Sequence, residues 1–168
     1  MATLMLNKDN SMLQRMELDL VNKVTAAYNA AGLTANIHGV FSLDDLEQKE
    51  ESDLCGLLAV GVGYAGAEPA EPRGQLNTAP GGSAAKMVDF MFHLILAVPH
   101  GLNCVERYEA TKLLTVLRNS ILGSSCSGDA TNRTWAFVKE FPNIADSSDT
   151  MLYYSQVWRL AVPVIRTV

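Results

Sequence analysis

The chain has 168 residues, 48% of them apolar and 18% charged, with a net charge of −5 and an isoelectric point near 5.1. That length suits a single domain, 1–168, able to remove about two-thirds of its unfolded surface from water without staples. The apolar fraction excludes wholesale disorder, and the lack of any Lys/Arg-rich run excludes the electrostatic footprint of a nucleic-acid binder.

The longest apolar run, Phe90 to Pro99, is broken by His93 and falls far short of the ~20 residues that span a bilayer. No membrane partner is expected. The opening Met1-Ala2-Thr3-Leu4-Met5-Leu6-Asn7-Lys8 has no basic segment ahead of a long apolar core, so no signal peptide is expected. Three widely spaced cysteines, Cys55, Cys104 and Cys126, argue against a disulfide framework and for folding in a reducing cytoplasm.

Ser11 is placed to cap a helix in which Met12, Met16, Leu20, Val24 and Tyr28 recur every four residues, with Gly32 as the stop. Residues 33–41 alternate weakly and predict a short strand. The acidic stretch from Asp44 to Asp53 reads as a solvated connector. Leu57 to Tyr64 predicts a strand carrying small residues. A loop over 65–85 follows, with Pro69, Pro72 and Pro80 among four glycines. A connection of that length without periodicity is usually functional or disordered.

Lys86 to Val98 gives the clearest strand. Val88, Phe90, Phe92, Leu94, Leu96 and Val98 make a wholly apolar face, alternating with the mixed set Met87, Asp89, Met91, His93, Ile95 and Ala97. Asn103 is placed to cap a second helix, Cys104 to Leu122, with Gly123 where a terminating glycine belongs. Trp135 to Phe141 predicts a strand with Trp135, Phe137 and Lys139 on one face. Met151 to Ile165 predicts the last strand, and Pro163 puts its end at a sheet edge or beyond the ladder. The fold class expected is α+β: a mostly antiparallel sheet of four to five strands with two main helices packed on it.

Gly61-Val-Gly63-Tyr-Ala-Gly66 matches the dinucleotide fingerprint G-x-G-x-x-G. Such glycines must open a helix whose free N–H groups meet pyrophosphate. Here Glu68-Pro-Ala-Glu71-Pro72 follows, a poor phosphate cradle, so the glycines read as a bulge or a close approach of backbones. No Cys or His pair has metal-ligand spacing. His100 and Cys104 are the single pair that could supply a nucleophile and base; a loop histidine and a buried thiol are the simpler reading. Trp135, Phe137, Tyr153, Tyr154 and Trp158 gather in the last two strands, with Arg133 and Arg159 among their polar neighbours.

Taken together, the layout resembles the tail terminator proteins of tailed bacteriophages, typified by the small Mu-like tail protein, and the related tail-completion proteins. The resemblance rests on Leu57-Leu-Ala-Val-Gly-Val-Gly-Tyr64, the long loop, Phe90-Met-Phe-His-Leu-Ile-Leu-Ala-Val98, and the helix Tyr108 to Gly123 with its Leu117-Arg-Asn-Ser-Ile-Leu-Gly ending. It is completed by the closing strand Tyr154-Ser-Gln-Val-Trp-Arg-Leu-Ala-Val162. It covers nearly the whole chain and is one of pattern.

The resemblance implies a virion structural protein of the tail, assembled in the host cytoplasm, and no enzyme. Its subunits would form a hexameric ring that caps the tail tube, stops its polymerisation and joins the tail to the head connector. The partners implied are other copies of the chain, the tail tube protein and the head–tail connector protein, with DNA only as cargo through the lumen. No catalytic residue, cofactor or metal is implied. The interface residues expected are Arg73, Gln75 and Asn77 in the loop, with Arg133 and Arg159. The alternative is a head–tail connector or tail-tube-type subunit, and further off a small cytoplasmic enzyme using Cys104 or His100.

Overall fold

The computed structural model describes residues 11–32, 36–39, 59–70, 86–99, 104–127, 133–143 and 151–164. Helix α1, Met12–Ala30, starts where the sequence places it. The Gln14 amide donates to Ser11 Oγ at 3.3 Å, and the Ser11 amide donates to Gln14 Oε1 at 2.9 Å. This reciprocal capping box satisfies two N–H groups that have no partner inside the helix. Gly32 adopts φ +70° just past the end, a conformation that side chains with a Cβ resist.

Five strands form one sheet: β1 (Asn36–Gly39), β2 (Ala59–Pro69), β3 (Lys86–Pro99), β4 (Ala136–Pro142) and β5 (Met151–Val164), in the order β1-β2-β3-β5-β4. β2, β3, β5 and β4 are antiparallel neighbours, and β1 joins β2 in parallel. Parallel pairing needs a crossover of about a dozen residues or more, and residues 40–58 between β1 and β2 supply that length. Helix α2, Cys104–Ile121, lies between β3 and β4 in sequence. The fold is therefore α+β with a mostly antiparallel sheet, as the alternation predicts.

Both helices pack on one face of the sheet and against each other. The face is set by strand periodicity. Phe92, Leu94, Leu96 and Val98 of β3, Val60 and Val62 of β2, and Trp158, Leu160 and Val162 of β5 meet Met16, Leu20, Val24 and Tyr28 of α1 and Leu113, Leu117 and Ile121 of α2. Full burial of each of these larger side chains stabilises the fold by roughly 1.5–3 kcal/mol. Edge-on aromatic contacts run through this layer: Tyr64–Phe92 at 5.6 Å, Phe92–Trp135 at 5.4 Å and Phe137–Trp158 at 5.4 Å between centroids. On the opposite face Ile95, Ala97, Tyr153, Ser155 and Val157 are buried too, so the centre of the sheet is shielded on both sides.

Three details depart from simple alternation. β2 continues to Pro69, so residues 65–69 belong to the strand and not to the loop expected over 65–85. The register slips at Ala65, between Tyr64 opposite Phe92 and Gly66 opposite Met91, and Gly66 takes φ +130° to make that bulge. β4 slips as well: Phe137 lies opposite Trp158 but Lys139 lies opposite Val157. Trp135 and Phe137 therefore face the helices, whereas Lys139 falls on the other face, against the expectation that all three share one. Pro163 behaves as its chemistry demands. β4 reaches along β5 only as far as Arg159, so Pro163 lies beyond that ladder while still opposite Met87 of β3.

Candidate interaction surface

The segment after α2 is folded by backbone pairing. Gly123 N donates to Trp135 O at 2.9 Å, Trp135 N to Ser124 O at 2.9 Å, and Cys126 N to Arg133 O at 2.7 Å, with Ser125 bridging Thr134. Gly123 has φ +72°, which lets the chain leave the helix and enter this ladder directly. Arg133 is thereby held at the tip of a short ribbon, with its side chain exposed.

Asp19 of α1 pins that ribbon. The residue is 3% exposed, yet its carboxylate accepts from Trp135 Nε1 at 2.8 Å, from Ser127 N at 3.0 Å and from Ser127 Oγ, with Lys23 Nζ at 3.7 Å. A buried carboxylate is tolerable only when its oxygens are occupied in this way. The sequence carries a weak trace of it: Asp19 sits beside Leu20 on the edge of the apolar stripe, where helices of this kind usually place neutral residues.

A second polar group crosses the helix–sheet layer. Gln156, fully buried, donates from Nε2 to Leu114 O at 2.9 Å and to Glu140 Oε2 at 2.8 Å, and accepts from Trp158 Nε1 at 3.2 Å. Arg118 grips both oxygens of Glu140 at 2.9 and 2.8 Å and lies over the Phe137 ring, 5.4 Å from its centroid. The Leu117-Arg-Asn-Ser-Ile segment singled out in the sequence thus fixes α2 on β4 and β5. Gln156, the one polar residue interrupting the inward alternation of β5, was the signal available for this network.

Of the expected interface residues, Arg73, Gln75 and Asn77 lie outside the described residues, as do His100 and the acidic stretch 44–53. Arg159 is half-buried on the sheet face away from the helices. It donates from Nη1 to Asp89 Oδ2 at 3.3 Å, and Asp89 stands opposite Glu68 in the β2–β3 register. Two carboxylates directly across a ladder repel, and Arg159 offsets that repulsion.

Register also fixes where these pieces stand. Residues 71–85 connect β2 to β3 at the end of the sheet where Pro69 pairs with Val88, and Val88 pairs in turn with Val162. β4 begins at that same end, with Ala136 opposite Arg159. The roots of the long connection, the Arg133 ribbon and Arg159 are therefore gathered at one end of the molecule.

The G-x-G-x-x-G run now has a physical reading. Gly61 and Gly63 lie opposite Ile95 and His93, on the face away from the helices, and the bulge at Ala65 brings Gly66 onto that face as well, opposite Met91. The motif opens no helix and forms a smooth strip of strand. His93, beside it, has a half-buried imidazole whose pKa is lowered, first by desolvation and then by the positive charge of Lys139. Burial raises the Tyr28 phenol well above its ordinary range, and its hydroxyl finds no hydrogen-bond partner among the described residues. Among the described residues no three His, Cys, Asp or Glu side chains are grouped to hold a metal ion, and no helix is long and apolar enough to cross a membrane.

No protein-family model and no curated protein matches the chain. Among solved structures it is similar to a chain from the virion of a native gene transfer agent (GTA) particle, at 12% identity and a TM-score of 0.48, with 92% of each chain covered.

Proposed function

We propose that this chain is a virion structural protein, a ring-forming tail terminator that caps the tail tube, halts its polymerisation and joins the tail to the head connector. The observation that carries this reading is the order of elements on which the sequence resemblance rests: helix, two strands, a long connection, a strand, a helix and two strands, folded as one sheet under two helices. The mechanism is geometric. A ring closes when two different patches on each subunit meet head to tail and the rotation between copies closes. The end of the sheet that carries the 71–85 connection, Arg133 and Arg159 is the patch assigned to the next subunit or the tube. The net charge of −5 discourages adhesion to DNA passing through the lumen.

Mixing the purified chain with tail tube protein tests this by sedimentation and electron microscopy. Discrete rings or capped tubes of fixed length are expected. Tubes that keep growing, or long filaments of the chain alone, would overturn the reading; filaments would point to a tube-type subunit.

A further inference from the structure

Three large apolar side chains stand exposed among the described residues: Tyr64 at 37%, Val138 at 40% and Leu122 at 56%. They lie at the two margins of the sheet. Val138 belongs to β4, the last strand on one side. Leu122 lies on that side too: its N–H donates to Arg118 O one helical turn back, and the Arg118 side chain reaches Glu140 of β4. Tyr64 belongs to β2, near the other margin. β1 accompanies β2 as far as Gly39 opposite Val62, so Gly63 to Pro69 has no strand outside it among the described residues. Tyr64, Ala65, Ala67, Glu68 and Pro69 are all exposed there.

The two margins match in height. Tyr64 stands opposite Phe92, Phe92 opposite Trp158 and Trp158 opposite Phe137, so one row of the sheet begins at Tyr64 and ends beside Val138. They also match in shape. The end of β1 leaves a step one strand wide, about 4.8 Å, along the rest of β2. On the other margin, the slip between Phe137 and Lys139 sets Val138 outside the ladder as an extra residue. A rotation without rise, the operation that relates neighbours in a closed ring, brings such a knob and step of one row together.

Charge selects the partner and its orientation. The exposed charge of β2 is Glu68 and that of β4 is Lys139. The β4 margin against the β2 margin of a second copy joins opposite charges, whereas two β4 margins or two β2 margins would oppose like ones. Both strands carry a bulge, and β4 carries its lysine, devices by which sheet edges avoid adding further strands. Side chains therefore make this contact, and no backbone ladder runs on from copy to copy.

We infer that the β4 margin of one copy, with Leu122, Val138 and Lys139, docks head to tail on the open β2 margin of a second copy, with Tyr64, Ala67 and Glu68. Repeated about one axis, the contact closes a ring and leaves the end of the sheet with the long connection for the tube. This rests on the assembly reading above and names its subunit contact.

The test blocks one margin at a time. Leu122→Arg/Val138→Arg spoils the β4 margin and Tyr64→Arg/Ala67→Arg the β2 margin, all at exposed positions, with circular dichroism as the check on folding. Tyr64 stacks on Phe92, so Ala67→Arg alone takes the place of the second double variant if that one fails to fold. Every change makes the net charge less negative, so general repulsion between copies falls and cannot account for lost association. In sedimentation velocity over a concentration series, the wild type is expected to form an oligomer larger than a dimer. Each double variant alone should associate at least tenfold more weakly. Mixed in equal amounts, the two should form a 1:1 dimer and nothing larger, since such a pair keeps one intact contact between a β4 margin and a β2 margin.

Variants that assemble as the wild type does, a mixture that forms no dimer, or a variant that dimerises by itself would each overturn the inference. So would a wild type that stays monomeric with and without tube protein. Association and tube capping that survive in both variants would refute this contact while leaving the terminator reading intact. A wild-type oligomer that both variants dissolve, yet that caps no tube, would refute the terminator reading and leave the contact standing.

Discussion

Asp19→Ala removes the acceptor that joins α1 to the ribbon after α2. Three donors lose their partner at once: Trp135 Nε1, Ser127 N and Ser127 Oγ, with Lys23 as a more distant fourth. Hydrogen bonds to a charged group contribute about 1.5–3 kcal/mol each, and a buried donor left unsatisfied loses about 1–3 kcal/mol. Ser127 is exposed and can turn to water, so its two bonds together count for only ~1 kcal/mol, whereas the Trp135 indole is buried, cannot, and loses about 1.5–3 kcal/mol. The partly exposed Lys23 pair adds no more than ~0.5 kcal/mol. The sum is a loss of about 3–4 kcal/mol.

Urea unfolding followed by tryptophan fluorescence will read it as a fall in midpoint at unchanged slope. For a domain of this size that corresponds to a melting temperature lower by roughly 6–16 °C. Trp135→Phe is expected to lose about 1–2 kcal/mol, and the Asp19→Ala/Trp135→Phe cycle to show coupling above ~1 kcal/mol, because both single changes delete the same bond. A loss below 1 kcal/mol for Asp19→Ala, or additive single changes, would refute the claim that this carboxylate ties the helix to the ribbon.

Gln156→Leu should destabilise the chain by about 2–3 kcal/mol in the same assay, since it leaves the buried Trp158 indole without its acceptor and Glu140 with one donor fewer; a neutral outcome would show that apolar packing alone suffices there. His93, whose pKa lies below its ordinary 6.5 in the fold, is neutral when folded, and the unfolded chain takes up the proton first as pH falls. Stability tied to His93 is therefore full above about pH 6.5 and declines as pH drops through the lowered value, a slope that His93→Gln should flatten and Lys139→Gln should lessen between pH 7.5 and 5.5. Glu17, whose carboxyl pKa is raised by burial, acts in the opposite sense: its contribution is full below its ordinary 4.5 and is lost as pH rises through the raised value. Replacing residues 71–85 by an Asn-Gly turn should leave the β2–β3 hairpin and the cooperative unfolding intact, because Pro69 already pairs with Val88 and Ala70 N donates to Met87 O at 3.1 Å. Capping of tubes should then be lost, and unimpaired capping would remove the connection from the interface.

Elements were legible in the sequence wherever local chemistry decides them. Ser11 with Gln14, the four-residue spacing to Tyr28, and Gly32 defined α1 to within a residue, because a helix is closed by its own near neighbours. The period-two run from Val88 to Val98 likewise named its inward face. Bulges were not legible. The slips at Ala65 and Val138 insert a residue without any change in composition, and they decide that Gly66 joins Gly61 and Gly63 on one face and that Lys139 leaves the face of Phe137. The candidate site was legible only in part. Arg133 and Arg159 could be named, but that Arg159 lies against Asp89 depends on a register 70 residues apart in the chain.

The sequence by itself determined which segments are helix and strand, which face of each is apolar, and that the G-x-G-x-x-G run opens no helix, since each of these depends on residues a few positions apart. Only the tertiary structure decided the strand order β1-β2-β3-β5-β4 and the parallel entry of β1. It alone showed the carboxylate of Asp19 reaching Trp135 across 116 residues and the gathering of Arg133, Arg159 and the roots of the long connection at one end of the sheet. Those pairings are chosen by which apolar faces cover one another most completely, and that is a property of the assembled layer that no local window contains.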